Sequence, residues 1–363
     1  MRKVLLASVV LALIAFLAVG CGDSSKKITP PPAQPSQSFA FLQEATPAVP
    51  YILNPALGKL TGTTLATTIP TDSGTGQPVK GDFWSIALNK EGTKATFDLY
   101  GGVDGTGTQY DVYTANVDGS GMVQLTHDYE AMLPSFSSDG TKIVFTSWRP
   151  YDGSPYNVDQ VAVINADGTG EQILPLPPGA EDTWAPSFSP DGTKIAVEAW
   201  GYTADAGEFD GIFVMNADGS NPVMLTNPWA ICNCWDEYPV FTLDGTKVVF
   251  SRDDFSGEVW IEDIYIANVD GSGVTKLTDG KGINADPLVL SDGRILFSSN
   301  RDNLSAPGGT GYELYVMNQD GTGLTRLTSD SIYQGTSQEM YEITGSSSAY
   351  SHASNHRMKK SQR

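Results

Sequence analysis

The sequence is poor in the residues that carry most enzyme chemistry and in positive charge. Among 363 residues there are 3 cysteines and 3 histidines, too few for a disulfide-built scaffold or a zinc-rich site. Lys and Arg number 22 against 42 Asp and Glu, a formal net charge of −20. That balance excludes the basic face that nucleic-acid binding requires. Charged residues make up 18 % of the chain and hydrophobic ones 40 %, which excludes a disordered polyelectrolyte and leaves ample material for a core. Beyond residue 38 no stretch combines sustained helical periodicity with caps. Neither a GxSxG elbow nor an HExxH helix occurs. Glycine, by contrast, is abundant at 38 residues, and with many Ser, Thr, Asp and Asn it makes a turn-rich composition suited to short strands.

Only one long apolar run is present. Arg2 and Lys3 precede a predominantly apolar segment over 4–19, the pattern of an export signal and, at about 16 residues, short for a bilayer-spanning helix. It ends in Ala18, Val19, Gly20 and Cys21. This ending resembles the lipobox of bacterial lipoproteins, although Ala18 stands where Leu is commoner. The resemblance implies a signal peptide over 1–20, a lipid on Cys21, and a membrane partner through that lipid. Loss of Arg2 and Lys3 would take the charge from −20 to −22. Gly22 replaces the Asp that retains enterobacterial lipoproteins at the inner membrane, so the expected location is the outer membrane or cell surface, facing the periplasm or the medium. Residues 21–38, polar and Pro-rich, are expected to form a disordered tether, and residues 346–363 a disordered polar tail.

Between these ends one phrase recurs. Its first half reads LPSFSSDGTKIVFTS from Leu133, APSFSPDGTKIAVEA from Ala185, YPVFTLDGTKVVFSR from Tyr238 and DPLVLSDGRILFSS from Asp286, with a degenerate copy from Trp84. The turn glycines Gly92, Gly140, Gly192, Gly245 and Gly293 are spaced by 48, 52, 53 and 48 residues. Its second half, of the kind DVYTANVDGSGMVQLT, places Asp118, Asp167, Asp218, Asp270 and Asp320 at intervals of 49, 51, 52 and 50. Each unit thus holds four short apolar stretches separated by Asp-Gly turns or polar loops, which predicts a four-stranded antiparallel meander. Meanders repeated about every 50 residues predict a propeller, whose blades bury one another's faces.

SPDGTKI, followed by a segment such as FVMNADGS and then LT, resembles the repeat of the TolB-type propellers, over roughly 83–328. The resemblance implies an all-β, six-bladed β-propeller of four-stranded antiparallel blades over 39–345, with seven blades as the alternative. The closing blade is expected from FAFL at 39–42, YILN at 51–54 and KLTGTTL at 59–65, with EMYEI at 339–343 as innermost strand. The family's N-terminal α/β domain has no room here, which puts a direct role in the Tol system in doubt.

Candidate sites cluster before the recurring prolines. The segments leading into Pro134, Pro186, Pro239 and Pro287 carry Asp128, Tyr129, Glu130, Glu181, Asp182, Trp184, Trp235, Asp236, Glu237, Tyr238 and Asp286. As loops at one mouth of the channel, these acids and aromatics would form a recognition surface for a protein, glycan or cation; the competing reading packs the aromatics between blades. Cys232 and Cys234 suggest a loop disulfide, with unpaired thiols or a metal or redox site as the alternatives. The turn aspartates read as structural, and Arg149, Arg252 and Arg301 as salt-bridge or loop-ordering residues. No cofactor, metal or catalytic residue is expected. The favoured function is a monomeric, lipid-anchored envelope module that binds another envelope protein or peptide. An envelope carbohydrate-binding protein or propeller-type polysaccharide lyase using His127 is the alternative.

Overall fold

The computed structural model describes residues 82–102, 107–117, 119–150, 157–205, 207–232, 234–257, 261–302 and 312–327, together with four short strands outside them. Three of those strands, Phe39–Gln43 (β1), Val49–Leu53 (β2) and Thr63–Thr64 (β3), meet the stretches expected to close the ring, β3 wholly and β1 and β2 in part. Then come the repeats. The first blade is Asp82–Leu88 (β4), Lys94–Tyr100 (β5), Tyr110–Asn116 (β6) and Val123–Gln124 (β7). The second is Glu130–Phe136 (β8), Lys142–Pro150 (β9), Asn157–Asn165 (β10) and Gln172–Ile173 (β11). The third is Ala180–Phe188 (β12), Lys194–Thr203 (β13), Gly207–Asn216 (β14) and Val223–Met224 (β15). The fourth is Cys234–Phe241 (β16), Lys247–Asp254 (β17), Ile261–Asn268 (β18) and Thr275–Lys276 (β19). The fifth is Asn284–Val289 (β20), Ile295–Ser299 (β21), Glu313–Met317 (β22) and Thr325–Arg326 (β23), and Gln334–Thr336 (β24) follows.

The fold is therefore an all-β propeller of four-stranded antiparallel blades. It shows five consecutive blades rather than the expected six or seven. A further four-stranded sheet, ordered β24-β1-β2-β3, draws on both ends of the chain. Its first strand is Gln334–Thr336, paired with Phe41–Gln43; the expected 339–343 lies outside the described residues, as do 1–38 with Cys21, and 346–363.

The near-continuous apolar second strands explain the packing. In β9, Ile143 and Phe145 join Val112 and Leu125 of the preceding blade, whereas Val144 joins Ile195, Val197 and Phe213 of the following one. Successive side chains point to opposite faces, and a blade between two others buries both. The same pattern places Ala196 with Phe250 and Val249 with Phe297 across the next two junctions. Full burial of each such side chain stabilises the fold by roughly 1.5–3 kcal/mol.

The turns are equally determined. Asp139 and Asp191 each accept from a Ser hydroxyl two residues before and from the amide and hydroxyl of a Thr two residues after, at 2.6–3.0 Å. Asp167, Asp218, Asp270 and Asp320 bind the following Thr or Ser in the same way, which gives these aspartates a structural role. The LT that ends a unit also has a local cause. The Thr126, Thr226 and Thr278 hydroxyls accept the amides of Val112, Ile212 and Ile264 at 2.9–3.0 Å, tying the outermost strand to the third.

Candidate functional site

In a four-stranded meander the hairpin between the second and third strands shares one end of the blade with the connection to the next blade; the Asp-Gly turns occupy the other end. The segments expected to line the channel mouth begin at the first of these ends. Most of them are not loops, however, because the innermost strands β8, β12, β16 and β20 run straight through the prolines.

A bulge makes this possible. Leu133, Ala185, Tyr238 and Asp286, each just before a proline, have φ of 55, 47, 53 and 54°, and the register slips there in every case. Proline has no amide hydrogen to give the ladder, and a bulge is where a strand tolerates it. The left-handed backbone costs about 1–2 kcal/mol per site, and bonds to the preceding blade offset part of it. The Leu133 amide donates to Asp98 Oδ2 at 2.8 Å, and the Ala185 amide to Thr146 Oγ1 at 3.2 Å. Ser187 Oγ donates to the Pro239 carbonyl at 2.6 Å.

The bulged strands bury most of the expected site. Asp182, Trp184, Trp235, Asp236, Glu237, Tyr238 and Asp286 are all buried. Trp184 and Tyr238 pack with Tyr110, Met132, Leu133 and Ala185, joined by half-buried Trp84 and Tyr100, a cluster drawn from four successive blades. Asp236 is held by Arg252 in a two-pronged pair of 2.6 and 2.8 Å. Arg149 meets Glu171 at 2.6 Å and lies 3.6 Å over the Tyr129 ring, while Arg301 meets Asp279. These arginines order the blade ends. What remains at the mouth surface is exposed His127, Asp128 and Glu181 with half-buried Tyr129 and Glu130. Tyr129 also donates its hydroxyl to Glu171.

Three carboxylates in and behind this rim are unusually basic. Burial pushes Asp98 up to about 6 against four hydrogen bonds that oppose it. Glu130 rises to about 7 through burial and the charges of Asp98 and Asp111. Asp286 rises to about 7 through burial and the nearby Asp253, although Ser298 donates to it at 2.9 Å. Sequence reasoning overlooked Asp98, which stands where the second repeat has Thr146 and the third has the equally buried Glu198. Its signal was a lone acid inside the apolar stretch KATFDLY.

Cys232 and Cys234 form a disulfide, with Cα atoms 5.2 Å apart. Among the described residues no group of three or more His, Cys, Asp or Glu is placed to hold a metal, and no helix is long and apolar enough to cross a membrane.

No protein-family model matches the sequence, and no curated protein matches it. Solved structures share the fold. A putative TolB from Agrobacterium tumefaciens is 15 % identical, with a TM-score of 0.55 over 83 % of this chain and 91 % of that one. TolB from Acinetobacter baumannii is 16 % identical, with a TM-score of 0.60 over 84 % of this chain and 66 % of that one. An oligogalacturonate lyase in complex with manganese is 15 % identical, with a TM-score of 0.51 over 80 % of this chain and 73 % of that one.

Proposed function

We propose that this chain is a lipid-anchored cell-envelope protein whose propeller binds another envelope protein or peptide, as a monomeric scaffold. The observation that carries the reading is the rigid inner ring. The bulged strands stitch blade to blade and spend their aromatics on packing, leaving a fixed acidic rim of Asp128, Glu130 and Glu181 beside Tyr129. A preorganised surface of this kind suits recognition, because little ordering entropy is lost on binding. The likeness to TolB structures supports the fold on which the reading rests, and fold alone does not give a partner. In the sheet β24-β1-β2-β3, β1 lies beside β4 of the first blade, and β24 beside β21 and β22 of the fifth.

Two experiments test it. Metabolic labelling with a radioactive fatty acid is expected to mark the chain, and Cys21→Ser to abolish the label; an unlabelled mature chain removes the anchor. Cross-linking from Asp128 in intact cells is expected to yield an envelope protein. The carbohydrate reading instead predicts binding or cleavage of polyuronate by the purified chain, lost in His127→Ala.

A further inference from the structure

The acidic rim leaves one surface feature unexplained, an apolar tip where the third blade passes into the fourth. Ile231 is 87 % exposed, more than any other large hydrophobic residue among the described ones. Its backbone is nevertheless tightly held. A 3-10 turn at Pro228–Ala230 precedes it, and the Ile231 and Cys232 amides both donate to the Pro228 carbonyl at 2.9 Å. The Cys232–Cys234 bridge clamps the far side, and Cys234 is buried at the start of β16. The turn packs against β14 and β16, and Gly211 on β14 lets the chain come so close that a Cβ there would lie 2.2 Å from the Thr226 carbonyl oxygen. At the same end of the third blade Tyr202 is 62 % exposed, with exposed Glu181, Asp205 and Glu208 on the neighbouring strands and hairpin.

An isoleucine fixed in water gains nothing for the fold, while its ordering cost is already met before a partner arrives. We propose that Ile231, with Tyr202, is a preformed anchor that inserts into an apolar pocket rimmed by Lys or Arg on a partner protein. The inference rests on the protein-binding reading and moves the principal contact from the channel mouth to this blade junction. The exposed carboxylates at this end of the third blade, Glu181, Asp205 and Glu208, supply the charge complement for a basic rim. They also oppose insertion into an anionic bilayer, so a protein pocket is the occupant rather than lipid. Rigid apolar anchors of this sort dominate binding energy when they are fully desolvated.

The test uses the full chain in intact cells, with p-benzoylphenylalanine replacing Ile231, Asp128 or Leu243, followed by irradiation and mass spectrometry of the adducts. Leu243, 48 % exposed, lies in an Asp-Gly turn at the opposite end of its blade and serves as control. Position 231 is expected to give one protein adduct, absent from 243, on an apolar peptide flanked by Lys or Arg. With that protein purified, Ile231→Ser is expected to weaken binding about tenfold or more with no change in melting midpoint. Glu181→Lys with Glu208→Lys is expected to weaken it in a salt-dependent way. A lipid adduct, or no adduct, from 231 while 128 captures a protein overturns the tip and leaves the binding module standing. Failure at both positions removes both readings.

Discussion

Asp98 shows how much one side chain carries here. Its carboxylate accepts the amides of Trp84 and Ser85, the Ser85 hydroxyl and, from the next blade, the Leu133 amide, at 2.7–3.1 Å and with no exposure. Asp98→Ala would strand three backbone donors in the interior, a loss of about 3 kcal/mol or more. Thr146→Val strands the single amide of Ala185 and is expected to cost about 1–2 kcal/mol. Urea unfolding compares the two, and equal losses would contradict the bridging role. The same residues set the pH response. Asp98, Glu130 and Asp286 hold protons up to about 6, 7 and 7 when folded, whereas in the unfolded chain they titrate near the ordinary carboxylate values. The folded state binds more protons in that window, so stability falls as pH rises from about 4 to about 7. Turn aspartates Asp139 and Asp191, drawn down to about 2 by their hydrogen bonds, act with the opposite sign: their contribution is complete above the unfolded value and lost as pH falls toward 2. The melting midpoint is expected to peak in weak acid and to be lower at pH 8 than at pH 5. Asp286→Asn should flatten the upper limb alone.

At the level of strands and turns, two glycines separate conformational from steric need. Gly192 has φ of 70° with nothing within 4 Å of a would-be Cβ, while Gly211 meets Thr226 backbone at 2.2 Å. Gly192→Ala is expected to cost about 1 kcal/mol from backbone strain, and Gly211→Ala more, because the Pro228 turn must shift; denaturation midpoints rank them. The contrast also marks what could be read from the chain. The Asp-Gly turns, the apolar second strands and the LT ends were legible, because each follows from local hydrogen bonding or period-2 burial. The innermost strands were not. A segment such as AEDTWAPSF mixes acids with a proline and reads as a loop, and only the left-handed bulge before each proline lets it continue as a strand. Its acids and aromatics read as exposed, and their burial is imposed by neighbouring blades that the local pattern does not reveal.

Among the described residues, the four junctions between consecutive blades each have a mixed apolar cluster or an inter-blade hydrogen bond, but the outer faces of the first and fifth blades do not share one. Phe83, Ile86, Phe97 and Leu99 cluster within the first blade, and Leu290, Leu296, Leu314 and Val316 within the fifth. Both sets are buried, and the sheet joining the chain ends lies beside these blades, through β1 on one side and β24 on the other. Among the described residues that sheet joins the C-terminal side through the pairing of Phe41–Gln43 with Gln334–Thr336. A chain ending at residue 327 would lose β24, leaving β1 as an unpaired edge and weakening the cover of the fifth blade. Such edges and apolar faces drive association. The truncated chain is expected to melt several degrees lower, by about 4 °C or less per kcal/mol for a chain of this size, and to elute as dimers or larger species. A chain ending at residue 345 should behave as the full one does. Equal stability and monomeric elution of both would mean that the sheet of the chain ends does not cover the first and fifth blades, whose outer faces are then covered in some other way.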